Sequence, residues 1–429
     1  MNSQKKVLVV TIEGGGNIPP MLNLSRRLSE AGYRVSVLSE PCLKEVVEQN
    51  ELHFLPFSDY FTRSNRQEDI IKDWNASLLD NPVFENLVFG PAEIVVRDTK
   101  RYLESIQADL LIADCLLFPS LIAAEALRIP RVVVFHMPEY LPGPNRPPGI
   151  MGLLPGQGTR GRWRDQLLGK VFNLILDKDL HRLNAVRAQY QLPPLAHVTD
   201  HIHGANLRLI QTLRDFDFPM EPAPANVRYT GPVLDDPDWV APWQSPWPDS
   251  DPRPLVVVSL STTFQNQQAV IERCIEALGK LPVRGLVTLG PSVPNASLEL
   301  PENVVAVPSA SHAQVFPQAS VVITHAGHGT LMRALSYGVP LLCLPMGRDQ
   351  NDNAAKVAYH GCGLKLSPKA SADKIHKAVS RLLGESSFKR KAEILAQKIL
   401  SDAQKDTALK EIESLFEPAN NSHKSPIGI

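Results

Sequence analysis

The chain is short of cysteine, of net charge and of long apolar runs, and each shortage closes off a class of protein. Its five cysteines, Cys42, Cys115, Cys274, Cys343 and Cys362, are scattered and form no C-x-x-C pair. An odd, dispersed set excludes a disulfide framework and a structural zinc cluster, and points to reduced thiols. Lys and Arg number 44 against 45 Asp and Glu, a formal net charge of -1, so no overall field gathers nucleic acid or an anionic membrane. No apolar stretch nears the ~20 residues that a bilayer-spanning helix needs, and no stable membrane insertion is expected. Residues 1–6 are polar and lead straight into a strand without the pattern of a signal peptide, so the cytoplasm is the expected compartment. Also missing is G-x-G-x-x-G after the first strand. The turn there reads EGGGNIPP, with prolines where the helix of a nicotinamide-binding unit would begin. Only Glu40, near the end of the second strand, fits that alternative.

What is present is a long alternation of buried strands and helices. A chain of 429 residues exceeds the ~250–300 at which single cores stop growing, so two domains are expected. Hydrophobic residues at 43% and charged residues at 21% give ordinary globular composition. The run VLVVTI at 7–12 is apolar and β-branched, the pattern of a strand buried on both faces of a parallel sheet. A helix at 21–31 and a strand at 33–38 complete a βαβ unit. Strands at 110–113, 131–135 and 208–212 and a helix at 120–127 continue it. Residues 138–161 are rich in Pro and Gly and read as a loop. A second run starts with LVVVSL at 255–260, with strands at 285–289, 304–307, 321–324 and 341–344 and helices at 372–383 and 387–416. The pattern predicts an N-terminal domain over 1–214, a Pro- and Asp-rich linker over 215–254, a second domain over 255–416 and a frayed tail over 417–429. Two doubly wound α/β halves place a ligand in the cleft at the carboxyl ends of their strands.

The most informative segment is HAGHGT at 325–330, between the strand VVIT and a helix. Small residues let the backbone approach a ligand. Exposed N–H groups at a helix N-terminus make an anion site, to which His325 can donate. Downstream stand Gly338-Val339-Pro340, Pro345, Asp349-Gln350 and Asn353-Ala354. In order and spacing this block, 321–361, resembles the donor-binding signature of the UDP-glycosyltransferase superfamily. The resemblance extends more loosely to SLSTTF at 259–264 and to YTGP at 229–232. It implies the GT-B fold, two Rossmann-like domains facing a cleft. It also implies an inverting, metal-independent glycosyltransferase, of hexosyltransferase type, that uses a UDP- or dTDP-sugar and no further cofactor. His325 would then bind the diphosphate, with Gly327, His328, Gly329 and Thr330 beside it. Ser261, Thr262 and Thr263 would approach from the opposite strand end. Asp349 and Gln350 would hold the sugar, and Asn353 would contact phosphate. The lack of a D-x-D motif agrees with metal independence.

Departures from the pattern fall at three places. The family's ribose-binding Glu is Arg333 here, and a guanidinium accepts no hydrogen bond, so ribose recognition must differ and a deoxyribose donor such as a dTDP-sugar stands open beside a UDP-sugar. The base-stacking Trp is absent, Ser309 and Ala310 stand in its place, and His312 replaces a usual Gln. Most consequential, the histidine of the first turn that serves the family as general base is Asn17, an amide without basicity. The carboxylate that orients that base is present as Asp114. Asp114 and Glu13 are therefore candidates for the base, Asn17 for orienting the acceptor, and His136, at a strand end, for acceptor contact or catalysis. Segments 116–119 and 135–142 are expected to line an apolar acceptor pocket, for a polyketide, terpenoid, phenolic or lipid. The basic-aromatic stretch RGRWR at 160–164 reads as a solvated helix face. The rival reading is a catalytically impaired GT-B protein that binds the donor and activates a partner. A nucleotide-sugar epimerase shares the architecture but fits the D-Q-x-x-N-A block less well. As for partners, a nucleotide-sugar donor and a small acceptor are expected, with no nucleic acid, in a monomer or homodimer.

Overall fold

The computed structural model describes residues 4–65, 82–218, 221–235, 242–261, 267–290 and 298–417. Two parallel sheets carry the fold. The first contains β1 (Lys6–Val10), β2 (Arg34–Ser39), β3 (His53–Pro56), β4 (Leu110–Asp114), β5 (Arg131–Phe135), β6 (Leu207–Ile210) and β7 (Val227–Tyr229). Their spatial order is β3-β2-β1-β4-β5-β6-β7. The second contains β8 (Leu255–Ser259), β9 (Arg284–Thr288), β10 (Val304–Val307), β11 (Ala319–Thr324), β12 (Leu341–Cys343) and β13 (Gly363–Lys365), in the order β10-β9-β8-β11-β12-β13. Each order reverses once, between β1 and β4 and between β8 and β11. At such a switch point the helices leave on opposite faces and open a crevice above the strand ends.

The apolar runs form strands because both faces are covered. Leu8 and Val10 join one core and Val7 and Val9 the other, on opposite sides of β1. In the second sheet Val256 and Val258 face one core, and Leu255 and Val257 the other. Strand parity assigns the alternate side chains to the two faces.

Several elements depart from the sequence pattern. The first helix starts at Ile18, with prolines in its opening positions. Those positions lack an intrahelical acceptor for their N–H, so proline costs nothing there. Strand β7 lies inside the Pro-rich stretch read as linker. The helical run expected over 387–416 is two helices, Ser386–Ala403 and Thr407–Ser414, broken at Asp406 with a φ of 50°. Ala408 and Ile412 of the helix Thr407–Ser414 are buried in the core of the first sheet, so this helix crosses back to the first domain. Helix Gly158–Asp177 buries Asp165, Gly169, Phe172 and Leu176, while Trp163, on the opposite face, is 66% exposed. Among the described residues no helix is long and apolar enough to cross a membrane.

The carboxyl edges of the two sheets face each other and are tied by polar contacts. Lys356 pairs with Asp217 at 3.3 Å, and Asp217 accepts from the Tyr229 hydroxyl at 2.7 Å. The Pro- and Gly-rich loop is anchored at its far end, where Asp352 accepts the backbone N–H groups of Ile150 and Gly152.

Candidate active site

On the second sheet, β11 ends at Thr324, and the turn 325–327 leads into the helix His328–Ser336, which we call the donor helix. Ala326 holds a φ of 69°, a left-handed conformation stored at a functional turn. Gly327 is the N-cap. A Cβ on it would lie 2.3 Å from His325 Nε2, so only glycine lets the imidazole lie against the backbone. Gly327, Gly329 and Thr330 remain partly exposed at the helix N-terminus, where N–H groups without intrahelical acceptors favour an anion. Burial, then the nearby Arg348 charge, pushes His325 down to about 3, against a hydrogen bond to the Ser259 backbone. His325 is therefore a neutral imidazole that can donate a hydrogen bond. Burial likewise holds His328 down at about 4. Its Nε2 meets the Gln211 carbonyl at 3.1 Å, so Nε2 donates, and the donor helix is thereby hydrogen-bonded to the end of β6.

The D-Q-x-x-N-A block divides between ligand-facing and structural residues. Gln350 is buried, and its Oε1 accepts from the N–H groups of Met346 and Gly347 at 2.7 and 3.1 Å. Asn353 is 0% exposed. Its amide donates to the Ala326 carbonyl at 3.0 Å and to Asp349 Oδ2 at 2.7 Å, which clamps the strained turn from below and leaves no N–H for a phosphate. Asp349 stays partly exposed, and burial of its carboxylate raises its pKa. Ser261 is buried at the end of β8, and its carbonyl accepts from Gln267 at 2.9 Å. Thr262 and Thr263 lie outside the described residues. Ser309 is partly exposed and Ala310 buried. His312 stacks on Phe316 with centroids 4.2 Å apart and bonds Ser259 at 3.1 Å, so it belongs to the scaffold. Arg333 donates to the backbone carbonyls of Leu234 and Asp235, so a cation anchors the connection between the domains where the family pattern has a ribose-binding carboxylate.

Facing this, the first turn follows β1. Asn17 is 2% exposed. Its Nδ2 bonds Asp114 Oδ2 at 2.8 Å and the Ile12 carbonyl at 2.9 Å, and its Oδ1 accepts from the Gly14 N–H at 3.1 Å. With its polar atoms spent inside the protein, Asn17 cannot orient an acceptor. Glu13 is 7% exposed, and its carboxylate accepts the Gly15 N–H at 2.7 Å. Glu40, the acid that kept a nicotinamide cofactor in view, is fully buried. It is ion-paired with Arg63 and accepts the Glu13 N–H at 3.1 Å. Asp114 is 0% exposed. Besides Asn17 it accepts the Thr11 hydroxyl at 3.1 Å and the Leu116 N–H at 3.0 Å. His136 stands just past β5, its Nδ1 3.9 Å from Asp114 Oδ1.

The apolar segments expected to line the acceptor pocket are mostly core. Leu117, Phe118 and Phe135 are fully buried and Leu141 is 1% exposed, while Leu116, Met137 and Tyr140 keep part of their surface. Sequence reasoning missed Gln211, which ties the two domains through His328, and Asp352, which anchors the loop. It also missed Arg348, whose charge reaches both His325 and Asp349. Arg348 adjoins Asp349 in MGRDQ, and that adjacency was the available signal.

Two doubly wound sheets with their switch points across one cleft describe the GT-B architecture. Known proteins agree. Residues 272–415 match the model of the erythromycin biosynthesis protein CIII-like C-terminal domain. The 4'-demethylrebeccamycin synthase of Lentzea aerocolonigenes is 26% identical over 399 residues, 90% of this chain and 93% of that one. The solved glycotransferase of kitacinnamycin superposes with a TM-score of 0.73 at 19% identity, covering 96% and 99% of the two chains. The glycosyltransferase VinC, solved in complex with dTDP, superposes at 0.66 with 21% identity over 95% and 98%. The chain is similar over most of its length to glycosyltransferases of the UDP-glycosyltransferase superfamily and is a nucleotide-sugar-dependent glycosyltransferase.

Proposed function

We propose that the chain moves a sugar from a UDP- or dTDP-sugar to a small, largely apolar acceptor, with inversion at the anomeric carbon and without a metal. The observation that carries this reading is the turn 325–327. There a neutral imidazole, a glycine that admits no side chain and a helix N-terminus converge on the cleft. These groups stabilise the charge that develops on a departing diphosphate, and fixed dipoles of this kind do so without reorganising. Asp349, partly exposed beside the turn, is placed to accept hydrogen bonds from sugar hydroxyls. A second observation favours a deoxyribose donor. The guanidinium of Arg333 offers no acceptor to a ribose 2'-hydroxyl, and it is engaged on the carbonyls of Leu234 and Asp235. The related VinC was solved with dTDP, which supports the same choice. Leu116, Met137 and Tyr140 lie near Asp114 and His136 and give the acceptor side its apolar character.

The test incubates the protein with dTDP-glucose or UDP-glucose and a panel of hydroxylated aromatics in EDTA, with products read by mass spectrometry and NMR. The expected product is a glucoside of anomeric configuration opposite to the donor's, with EDTA changing the rate less than about twofold. Donor binding without consumption would favour a binding module, and a rate abolished by EDTA would contradict metal independence.

A further inference from the structure

The transfer reading needs a group to take the acceptor's proton, and the amide at position 17 is sealed into the turn. Resting on that reading, we propose that His136 is the general base of the transfer and Asp114 its orienting carboxylate, the acid–base pair lying across two strand ends instead of in the first turn.

Strand register brings the pair together. Asp114 is aligned with Val134 in the parallel ladder of β4 and β5. His136, two residues on, shares the parity of Val134, so both side chains emerge on the same face of the sheet. Asp114 has one oxygen saturated by Thr11 and Asn17. The other takes the Leu116 N–H and faces His136 Nδ1 at 3.9 Å. That Nδ1 is buried and has no hydrogen-bond partner among the described residues. A buried ring nitrogen left unpaired is costly, and the nearest acceptor for its proton is Asp114. A gap of this size in an unliganded site closes in the Michaelis complex.

Exposure selects His136 over its rivals. Asp114 is 0% exposed and Asn17 2%, whereas 12% of the His136 side chain remains exposed. Burial dominates the titration of Asp349, upward, and of His328, downward, and the charge of His136 acts on both. Asp114 and Cys115 of its own domain lie close to His136, and His328 and Asp349 of the other domain are electrostatically coupled to it. The ligand atoms of Asp114, Cys115 and His136 lie within 4.8 Å of one another. Burial, then the Asp114 charge, pushes the Cys115 thiol well up.

In the step, the acceptor O–H bond breaks and its proton passes to His136 Nε2. The electron pair left on oxygen forms the bond to the anomeric carbon. The bond from that carbon to the β-phosphate oxygen breaks, its pair leaving with the nucleoside diphosphate. Nδ1–H of the imidazolium is held by Asp114, and the proton leaves to water when the products depart.

The test compares wild type, His136→Gln and Asp114→Asn with dTDP-glucose or UDP-glucose as donor, and phenol or 4-nitrophenol as acceptor. Affinity for dTDP and UDP is read by calorimetry and folding by thermal melt. For His136→Gln the expected loss in kcat on phenol is ~10²–10⁴-fold. On 4-nitrophenol, already largely ionised in mildly alkaline buffer, the loss shrinks below about tenfold. The acid limb of the pH–rate profile flattens, and diphosphate affinity stays within about twofold. A folded His136→Gln protein that keeps kcat on phenol within about threefold, or loses equally on both phenols, overturns the assignment. So does a loss confined to Asp114→Asn, which would make Asp114 the base. Wild-type protein that binds neither diphosphate overturns the transfer reading and the base with it. Unimpaired His136→Gln in an active enzyme overturns the base alone.

Discussion

The turn after β1 and the turn after β11 each adjoin the switch point of their own sheet, from opposite sides of it, and each is clamped by a buried asparagine. Asn353 donates to the Ala326 carbonyl and to Asp349. Asn17 donates to the Ile12 carbonyl and to Asp114. In each case one amide ties a turn carbonyl to an aspartate. The difference lies in what the aspartate faces. Asp349 stays partly exposed beside the donor helix, whereas Asp114 is closed off from solvent and has His136 as its neighbour. Asn17 is thus a brace for the turn and for Asp114, and its side chain explains how a base can be absent from the first turn without the turn collapsing. The turn after β11 gathers its polar groups in one contiguous segment, whereas the groups around Asp114 come together from three strand ends.

Two substitutions sharpen that contrast. The largest effect is expected from Gly327→Ala. The new Cβ would sit 2.3 Å from His325 Nε2 and must displace the imidazole, so affinity for dTDP and UDP, read by calorimetry, should fall about 100-fold or more, as loss of a buried charge-assisted site does. Unchanged affinity would remove His325 from the donor site. A smaller effect is expected from Asn17→Ala. It leaves the Gly14 N–H and one Asp114 oxygen short of a partner, at about 1–3 kcal/mol of stability, read as a lower denaturant midpoint. Diphosphate affinity should not move. A loss of affinity as large as that of Gly327→Ala would mean that the two turns do not divide the work.

The parts of the molecule legible in the sequence were those written locally. The run VLVVTI and the later LVVVSL announce strands buried on both faces, because only a covered parallel sheet tolerates such continuous apolar segments. HAGHGT announces an anion site, since small residues, histidine and a helix start lie within six positions. Short β7 and β13, three residues each, carry too little pattern to be seen. The last helix resembles its predecessor in composition, and nothing local says that Ala408 and Ile412 return to the first core. Within the D-Q-x-x-N-A block the sequence does not distinguish residues that meet a ligand from those that hold the backbone. Gln350 and Asn353 both bond turn atoms that are brought close only by folding. The pairing of Asp114 with His136 joins positions 22 residues apart and depends on the register of β4 and β5, which no periodicity encodes. Phe118 and Phe135 looked like pocket lining because apolar residues near a strand end serve core and cleft alike.

The turn 325–327 as the seat of a nucleoside diphosphate is tested most directly by calorimetric titration of dTDP and UDP into the wild-type protein and His325→Ala. Both are expected to bind the wild type, dTDP more tightly, and His325→Ala to weaken each about tenfold or more while melting as a folded protein. A folded wild-type protein that takes up neither diphosphate would contradict this placement.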